Sequence, residues 1–104
     1  MSAIFLRNPR AGEVRLTRHA YARFVERHMG VPEAVARLAP YTRDRVGLLR
    51  RLFAEAKIKN MPQGKAIRVM RKYHCPTSCF FHETTGLWFV VVFDKHLILV
   101  TVKS

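Results

Sequence analysis

The stretch Thr17-Arg18-His19-Ala20-Tyr21-Ala22-Arg23-Phe24-Val25-Glu26-Arg27-His28 predicts one amphipathic helix, around which the rest of the fold is organised. The Thr17 hydroxyl can accept from the free amides of the first turn, and Gly30 followed by Pro32 ends the helix. Between these limits five side chains share one face, which predicts the side that packs on the core. They are Ala20, Tyr21, Phe24, Val25 and His28.

His19, Arg23 and Arg27 follow one another at intervals of four residues along the flank of that face. Like charges at this spacing cost a helix roughly a few tenths of a kcal/mol, and an anion above the row would remove that cost. We therefore predict that these three side chains bind a phosphate group. Alternatively, they are surface groups, with the imidazole bonded locally to a carbonyl and an arginine paired with Glu26 or another acid.

Length and composition indicate one globular domain spanning residues 1–104, with a helical part at about 17–59 and a sheet part at about 65–103. Apolar residues make up 49% of the chain, which excludes a disordered basic tail. The longest apolar run, Leu87 to Phe93, is too short to cross a bilayer, and no export signal is evident. Two cysteines four residues apart cannot staple a domain of this size, so we expect a reducing, cytoplasmic location.

The charge balance is strongly basic. Nineteen Lys and Arg residues, thirteen of them Arg, stand against seven Asp and Glu and give a net charge of +12. This balance favours a polyanionic partner, most simply RNA or DNA. An acidic protein, an anionic membrane surface, or mere solubility of a basic protein would also account for it.

Local signals predict further elements on both sides of the central helix. Residues 2–7 and 13–16, joined by a turn at Asn8–Gly12, can pair as a small edge hairpin. Pro32 is expected to open a short helix that ends at Leu38, before Pro40. Thr42 is expected to cap a third helix that continues to about Lys59, with an inner side made of Val46, Leu49, Leu52, Phe53 and Ala56.

Four strands are predicted after a break at Asn60–Gly64: Ala66–Tyr73, Ser78–Glu83, Leu87–Phe93 and Leu97–Lys103. Short turns join the last three, so consecutive antiparallel hairpins are expected. The Leu87–Phe93 strand is apolar on both faces, which predicts a central position covered on each side by a helix or by a partner chain. The predicted fold class is α+β: N-terminal helices followed by a four-stranded antiparallel β-meander.

The pattern Thr-x-His-Ala-x-x-Arg-x-x-x-Arg at Thr17–Arg27, with the C-terminal strand Ile98–Val102, resembles a group of small ribonucleases and toxins. This group contains RelE and ParE toxins, barnase, EndoU and tRNA-cleaving colicin domains. The resemblance covers about forty of the 104 residues. It implies a RelE- or EndoU-like fold, metal-independent RNA cleavage, and His19, Arg23, Arg27 and Thr101 as the catalytic set. The long third helix and the basic segment Arg71–His74 depart from the pattern of the group.

The chemistry of these residue types is consistent with RNA cleavage by the substrate's own 2′-hydroxyl. A histidine can act as base or acid near neutral pH, and nearby arginines would lower its pKa and favour the base. Arginine forks suit the non-bridging phosphate oxygens. Tyr73 or His74 is a candidate for the missing acid, and no cofactor or metal is required. Thr101 can instead serve only packing, since threonine is common in apolar strands.

Arg68, Arg71, Lys72 and Tyr73 are predicted to form a strand-borne basic patch that binds RNA, with the tyrosine available for base stacking. An exposed strand edge also uses such charges to repel other edges. The neighbouring His74, Cys75, Cys79 and His82 are potential zinc ligands, but strand geometry sends Cys79 and His82 to opposite faces. A short-loop disulfide is possible, and two buried free thiols are the favoured interpretation.

Two functional hypotheses follow. The first is a small toxin-like endoribonuclease, phage- or mobile-element-encoded, that is held inactive by a cognate antitoxin or immunity protein. The second is a non-catalytic protein that binds nucleic acid or docks on the transcription or translation machinery, because a fold does not guarantee activity. The sequence leaves the oligomeric state open.

Overall fold

The computed structural model describes residues 3–62, 68, 71–72 and 75–104. The elements are β1 (Phe5–Asn8), β2 (Gly12–Leu16), α1 (Arg18–Met29), α2 (Glu33–Leu38), α3 (Arg43–Glu55), β3 (Lys57–Ile58), β4 (Thr77–His82), β5 (Leu87–Asp94) and β6 (His96–Lys103). Among these residues, no helix is long and apolar enough to cross a membrane.

The predicted four-stranded antiparallel meander is wrong. The described strands form one six-stranded sheet in the order β1-β2-β6-β5-β4-β3, curled into a half-barrel. β2 runs parallel to β6 whereas the other pairs are antiparallel, so the sheet is mixed. The α+β class holds, but the N-terminal hairpin joins the main sheet at β6 instead of standing beside it.

The first helix has the predicted ends. Thr17 accepts a hydrogen bond from the Ala20 amide at 3.1 Å, and Gly30 closes the helix with a φ of 65°, in the left-handed region that suits glycine. Four of the five predicted core positions are buried, namely Ala20, Tyr21, Phe24 and Val25. His28 is the exception, since it is exposed and stacks on the Phe24 ring with centroids 5.3 Å apart.

The third helix is shorter than predicted. Thr42 caps it as expected, and its predicted inner side is buried, but it ends at Glu55 and not at Lys59. Lys57 and Ile58 instead form the edge strand β3, which pairs with Phe81 and Phe80 of β4. Buried Asn8 holds this end of the helix, because its Nδ2 donates to the carbonyl oxygens of Phe53 and Ala56 at 2.7 and 2.9 Å.

The predicted strand Ala66–Tyr73 is also wrong at the residues that the structure describes. Arg68, Arg71 and Lys72 are all helical. The alternation of Ile67 and Val69 with Arg68 and Met70 favours a strand, and positions 68 and 72 share a face in a strand as well as in a helix, so their spacing does not reveal the error. Tyr73 and His74 lie outside the described residues.

The sheet separates two apolar clusters. α1 and α3 pack on one face, where Tyr21, Phe24, Phe53, Phe89 and Leu99 belong to the larger cluster. On the opposite face Met61 packs with Trp88 and Val90. The central strand is therefore buried on both sides from Leu87 to Val92, as its apolar sequence predicts, and this chain supplies the cover.

Candidate functional site

A hollow of about 130 Å³ lies between α1 and the outer edge of β6, and we call it the histidine hollow. It brings together the whole predicted row of α1 with the predicted threonine of the last strand. Its lining residues are His19, Arg23, Arg27, Arg68, Lys72, Thr101, Val102 and Lys103. Five of these side chains are cationic and no described lining residue is acidic, so the hollow favours an anion.

The sheet leaves this edge open for a structural reason. β2 pairs with β6 only at Arg15–Ile98 and Leu16–Leu99, after which the chain turns away into α1. Beyond Leu99 the outer side of β6 therefore has no neighbour among the described strands. α1 packs along that side of β6 instead. The i, i+4, i+8 row consequently faces the strand edge.

A β-bulge adjoins the hollow. Val90 pairs with Thr101 and Val91 pairs with Leu99, which makes Val100 the extra residue of β6. Such a bulge re-aims the side chains that follow it, and bulges are common next to functional sites. The Thr101 side chain is 5% exposed, and its hydroxyl has no hydrogen-bond partner among the described residues. That hydroxyl can therefore donate to a bound anion.

His19 lies at the exposed rim of the hollow and its pKa is lowered from 6.5. Partial burial of the ring is the largest cause, because it disfavours the charged imidazolium. The positive charges of Arg23, Lys72 and Arg37 lower the pKa further, and Glu26 opposes them. The neutral imidazole is thus favoured near neutral pH, which is the form that accepts a proton.

The two arginines of the row differ in their surroundings. Arg23 is held by Glu26, whose Oε2 lies 3.0 Å from Nη1, and its Nη2 lies 4.0 Å from Glu33 Oε1. The alternative of an arginine paired with Glu26 is therefore correct for Arg23. Arg27 is exposed and makes no ion pair or hydrogen bond with a described residue. Its full set of donors remains available to an anion.

The described residues of the predicted basic patch do not all lie at the hollow. Arg68 and Lys72 line the hollow, while Arg71 is exposed and does not line it. Tyr73 lies outside the described residues. Sequence reasoning missed Lys103, although its spacing of two from Thr101 places both residues on one side of a strand.

Three of the four potential zinc ligands, Cys75, Cys79 and His82, are described by the structure. His82 is buried, with Nε2 2.8 Å from Glu55 Oε1 and with Nδ1 accepting from the Thr85 amide at 3.3 Å. Nε2 therefore carries the proton and donates to the carboxylate. Cys79 faces the smaller cluster while His82 faces α3, so these two lie on opposite faces as predicted. Across the described ranges, no three His, Cys, Asp or Glu residues are grouped to hold a metal.

Cys75 and Cys79 are free thiols, as favoured from the sequence, but both are half-buried and not fully buried. Burial raises the pKa of the Cys79 thiol, which keeps it protonated. His74 lies outside the described residues.

Comparisons with protein-family models, curated proteins and solved structures find no match to this chain. The resemblance to the RelE–EndoU group stays a prediction that depends on the residues quoted for it. A function must therefore be argued from the chemistry of the site.

Proposed function

We propose that the chain is a metal-independent endoribonuclease whose active site is the histidine hollow. One observation carries the proposal: His19, Thr101 and five cationic side chains surround the same small hollow. A neutral imidazole, a hydroxyl donor and guanidinium groups are the components that cleavage of a phosphodiester by a neighbouring hydroxyl requires.

In this mechanism His19 accepts the proton of the ribose 2′-hydroxyl, and the 2′ oxygen attacks the adjacent phosphorus. The bond to the 5′ oxygen of the next nucleotide breaks, which leaves a 2′,3′-cyclic phosphate and a 5′-hydroxyl. Arg27 and Thr101 donate to the non-bridging oxygens while negative charge grows on them. The ammonium groups of Lys72 and Lys103, which also line the hollow, can protonate the leaving oxygen.

The test is incubation of the purified protein with single-stranded RNA in the presence of a chelator. We expect cleavage products with cyclic phosphate ends, and no cleavage of the same sequence made as DNA, which lacks the attacking hydroxyl. His19→Ala should abolish cleavage while RNA binding persists. His96→Ala is the matched control, because His96 is the exposed first residue of β6 and lies outside the hollow. Cleavage that survives His19→Ala, or that requires a metal, contradicts the proposal.

The second candidate function is binding of nucleic acid without catalysis, including docking on the transcription or translation machinery. The ion pair between Arg23 and Glu26 favours it, because a guanidinium already engaged by a carboxylate has fewer donors left for a transition state. Cleavage uses both a base and an acid, and His19 is the one described lining residue whose ordinary pKa lies near neutrality, which also favours binding without catalysis. Under this function His19→Ala changes the affinity for RNA little, and the wild-type protein leaves RNA intact.

We propose a cytoplasmic location and, for the nuclease, an inhibitory partner of the antitoxin or immunity type. The strongly basic hollow supports an acidic partner that covers it. The buried faces of β5 give no support to such a partner, since the chain covers that strand itself. An acidic partner protein should suppress RNA cleavage by the wild type, and it should bind the Arg27→Gln variant more weakly than the wild type.

A further inference from the structure

The histidine hollow is one end of a longer groove. A second hollow of about 510 Å³ lies at the other end of β6, and we call it the tyrosine hollow because Tyr41 forms part of its wall. Between them lies a bridging hollow of about 260 Å³. The bridging hollow shares Thr17 with the tyrosine hollow and shares His19 and Lys72 with the histidine hollow. The three hollows are therefore continuous along the strand.

Tyr41 offers an aromatic face that is already fixed in place. Its ring is 43% exposed and packs against the buried Tyr21, with the centroids 4.5 Å apart. The Arg18 guanidinium lies over part of the Tyr41 ring, with its carbon 5.1 Å from the centroid, so a ligand can use only the exposed remainder of the ring. Because little side-chain freedom remains to be lost, a planar ligand can stack there at a low entropic cost.

Backbone carbonyls hold Arg18 in this position. Its Nη2 donates to the carbonyl oxygens of Arg37, at 2.8 Å, and of Ala39. The Tyr21 hydroxyl donates to the carbonyl oxygen of Pro40 at 2.7 Å, so the loop before Tyr41 is tied to α1 at two points. The tyrosine hollow is thus a rigid pocket with an aromatic face, a guanidinium and an apolar floor that includes Ile98.

We propose that the tyrosine hollow is a base-binding subsite for a nucleotide that flanks the phosphate held in the histidine hollow, and that the substrate is single-stranded RNA. This inference rests on the proposed function. Ile98 and Thr101, which line the two ends, pair with Val92 and Val90 of β5, so the bulge leaves them roughly 7 Å apart along the sheet. A base that stacks on Tyr41 must leave the stack of its own neighbours, which the unpaired bases of a single strand can do and the paired bases of a duplex cannot.

The exposed Arg15 side chain supports the placement of a nucleotide in the tyrosine hollow. It lies on the wall of the tyrosine hollow, beside Ile98 in the sheet. A cation at that point can contact the backbone phosphate beyond the stacked base, while the base lies on Tyr41. Alternation of cations with an aromatic platform is how sequence-tolerant single-strand sites are built.

The experiment measures the affinity of a short 2′-O-methyl oligouridylate, which cannot be cleaved, for the whole protein. We expect Tyr41→Ala to weaken binding roughly tenfold, as expected for the loss of one base stacked on an aromatic ring. Tyr41→Phe should stay close to wild type because the ring remains. Leu38→Ala is the matched control, since Leu38 is 83% exposed and lies outside the groove.

Two further measurements keep the outcomes distinct. Tyr41→Leu preserves apolar packing against Tyr21 without an aromatic face, so it should bind as weakly as a folded Tyr41→Ala variant. It replaces the alanine variant in the test if that substitution unfolds the protein. Inorganic phosphate, followed by the NMR shift of the His19 ring, should bind equally to wild type and to both variants. Equal oligonucleotide affinity in all variants overturns the base subsite and leaves the proposed function intact. Absence of oligonucleotide binding by the wild type overturns both.

Discussion

Thr17 Oγ1 donates a hydrogen bond of 2.8 Å to the carbonyl oxygen of Leu99, and Thr17 Oγ1 also accepts a hydrogen bond from the Ala20 amide. One hydroxyl thus caps α1 and fastens the helix to β6 at the last point where β2 pairs with that strand. Two residues further along each element lie His19 and Thr101. The position of the imidazole relative to the threonine is therefore set by this contact.

Thr17→Ala should reduce the free energy of unfolding by about 1–2 kcal/mol, because it removes both the cap and the tie to Leu99. RNA cleavage should fall by more than the loss of folded protein explains, since His19 loses its fixed position. Thr17→Ser keeps the hydroxyl and should restore both quantities. Urea unfolding and cleavage rates measure the two effects.

The matched control for this prediction is Thr42→Ala. Thr42 caps α3 in the same manner, accepting from the Arg45 amide at 3.3 Å, but it lies outside the histidine hollow. Stability should fall by a similar amount while cleavage per folded molecule is unchanged. If both variants lose cleavage equally, the Thr17 contact has no positioning role.

The His19 pKa gives a second prediction, measurable by NMR titration of the ring. It should lie below 6.5 in the wild type, and Arg23→Gln should raise it more than Arg37→Gln, because Arg23 is the larger of the two charge effects. Lys72→Gln should fall between them. A wild-type value above 6.5, or a reversed order of the variants, contradicts the electrostatic account of the site.

The sign of the pH dependence follows from the lowered pKa. In the folded protein the neutral base forms above the folded pKa, so cleavage should rise with pH below 6.5 and level off by neutrality. Protonation is disfavoured by folding, so His19 favours the folded state most above pH 6.5 and loses that contribution as the pH falls through this window. Arg23→Gln should move the rising limb of the rate profile to higher pH.

Sequence reasoning predicted α1, α2 and the start of α3 well because their signals are local. Thr17 and Thr42 cap α1 and α3, Gly30 followed by Pro32 ends α1, and apolar residues recur on one face of each helix. None of these signals depends on distant parts of the chain. It failed where the outcome is non-local. The parallel pairing of β2 with β6 joins residues more than eighty positions apart, and no local pattern specifies that partner.

The same distinction applies to the candidate site. The His19–Arg23–Arg27 row was predictable from helical spacing, and Thr101 was named from the resemblance. Lys103 and the Arg18–Tyr41 pair were missed because they meet the groove through tertiary packing. Arg68 and Lys72 are predicted on a strand because Ile67 and Val69 alternate with polar neighbours, whereas both residues are helical in the structure.

Arg27 provides the third prediction, which concerns binding of single-stranded RNA as a function of salt. Each cation that contacts a phosphate steepens the dependence of affinity on salt, and losing one contact reduces the slope by about 0.7. Arg27→Gln should show this reduction because its donors face the hollow without a described protein partner. Arg51→Gln is the control, since Arg51 is exposed on α3 and lines none of the three hollows. Equal slopes for both variants would place the phosphate elsewhere.

Asn8 provides the fourth prediction, which concerns stability alone. Its side chain is 1% exposed, donates to the carbonyls of Phe53 and Ala56, and accepts from the Arg10 amide at 2.8 Å. Asn8→Ala should therefore lower the free energy of unfolding by about 2–3 kcal/mol, because buried polar groups lose their partners. Asn8→Asp should be at least as damaging at neutral pH, where a carboxylate cannot donate to those carbonyls. Urea unfolding measures both, with exposed Asn60→Ala as the control. A loss no larger than that of the control would show that the turn and the end of α3 are held by other contacts.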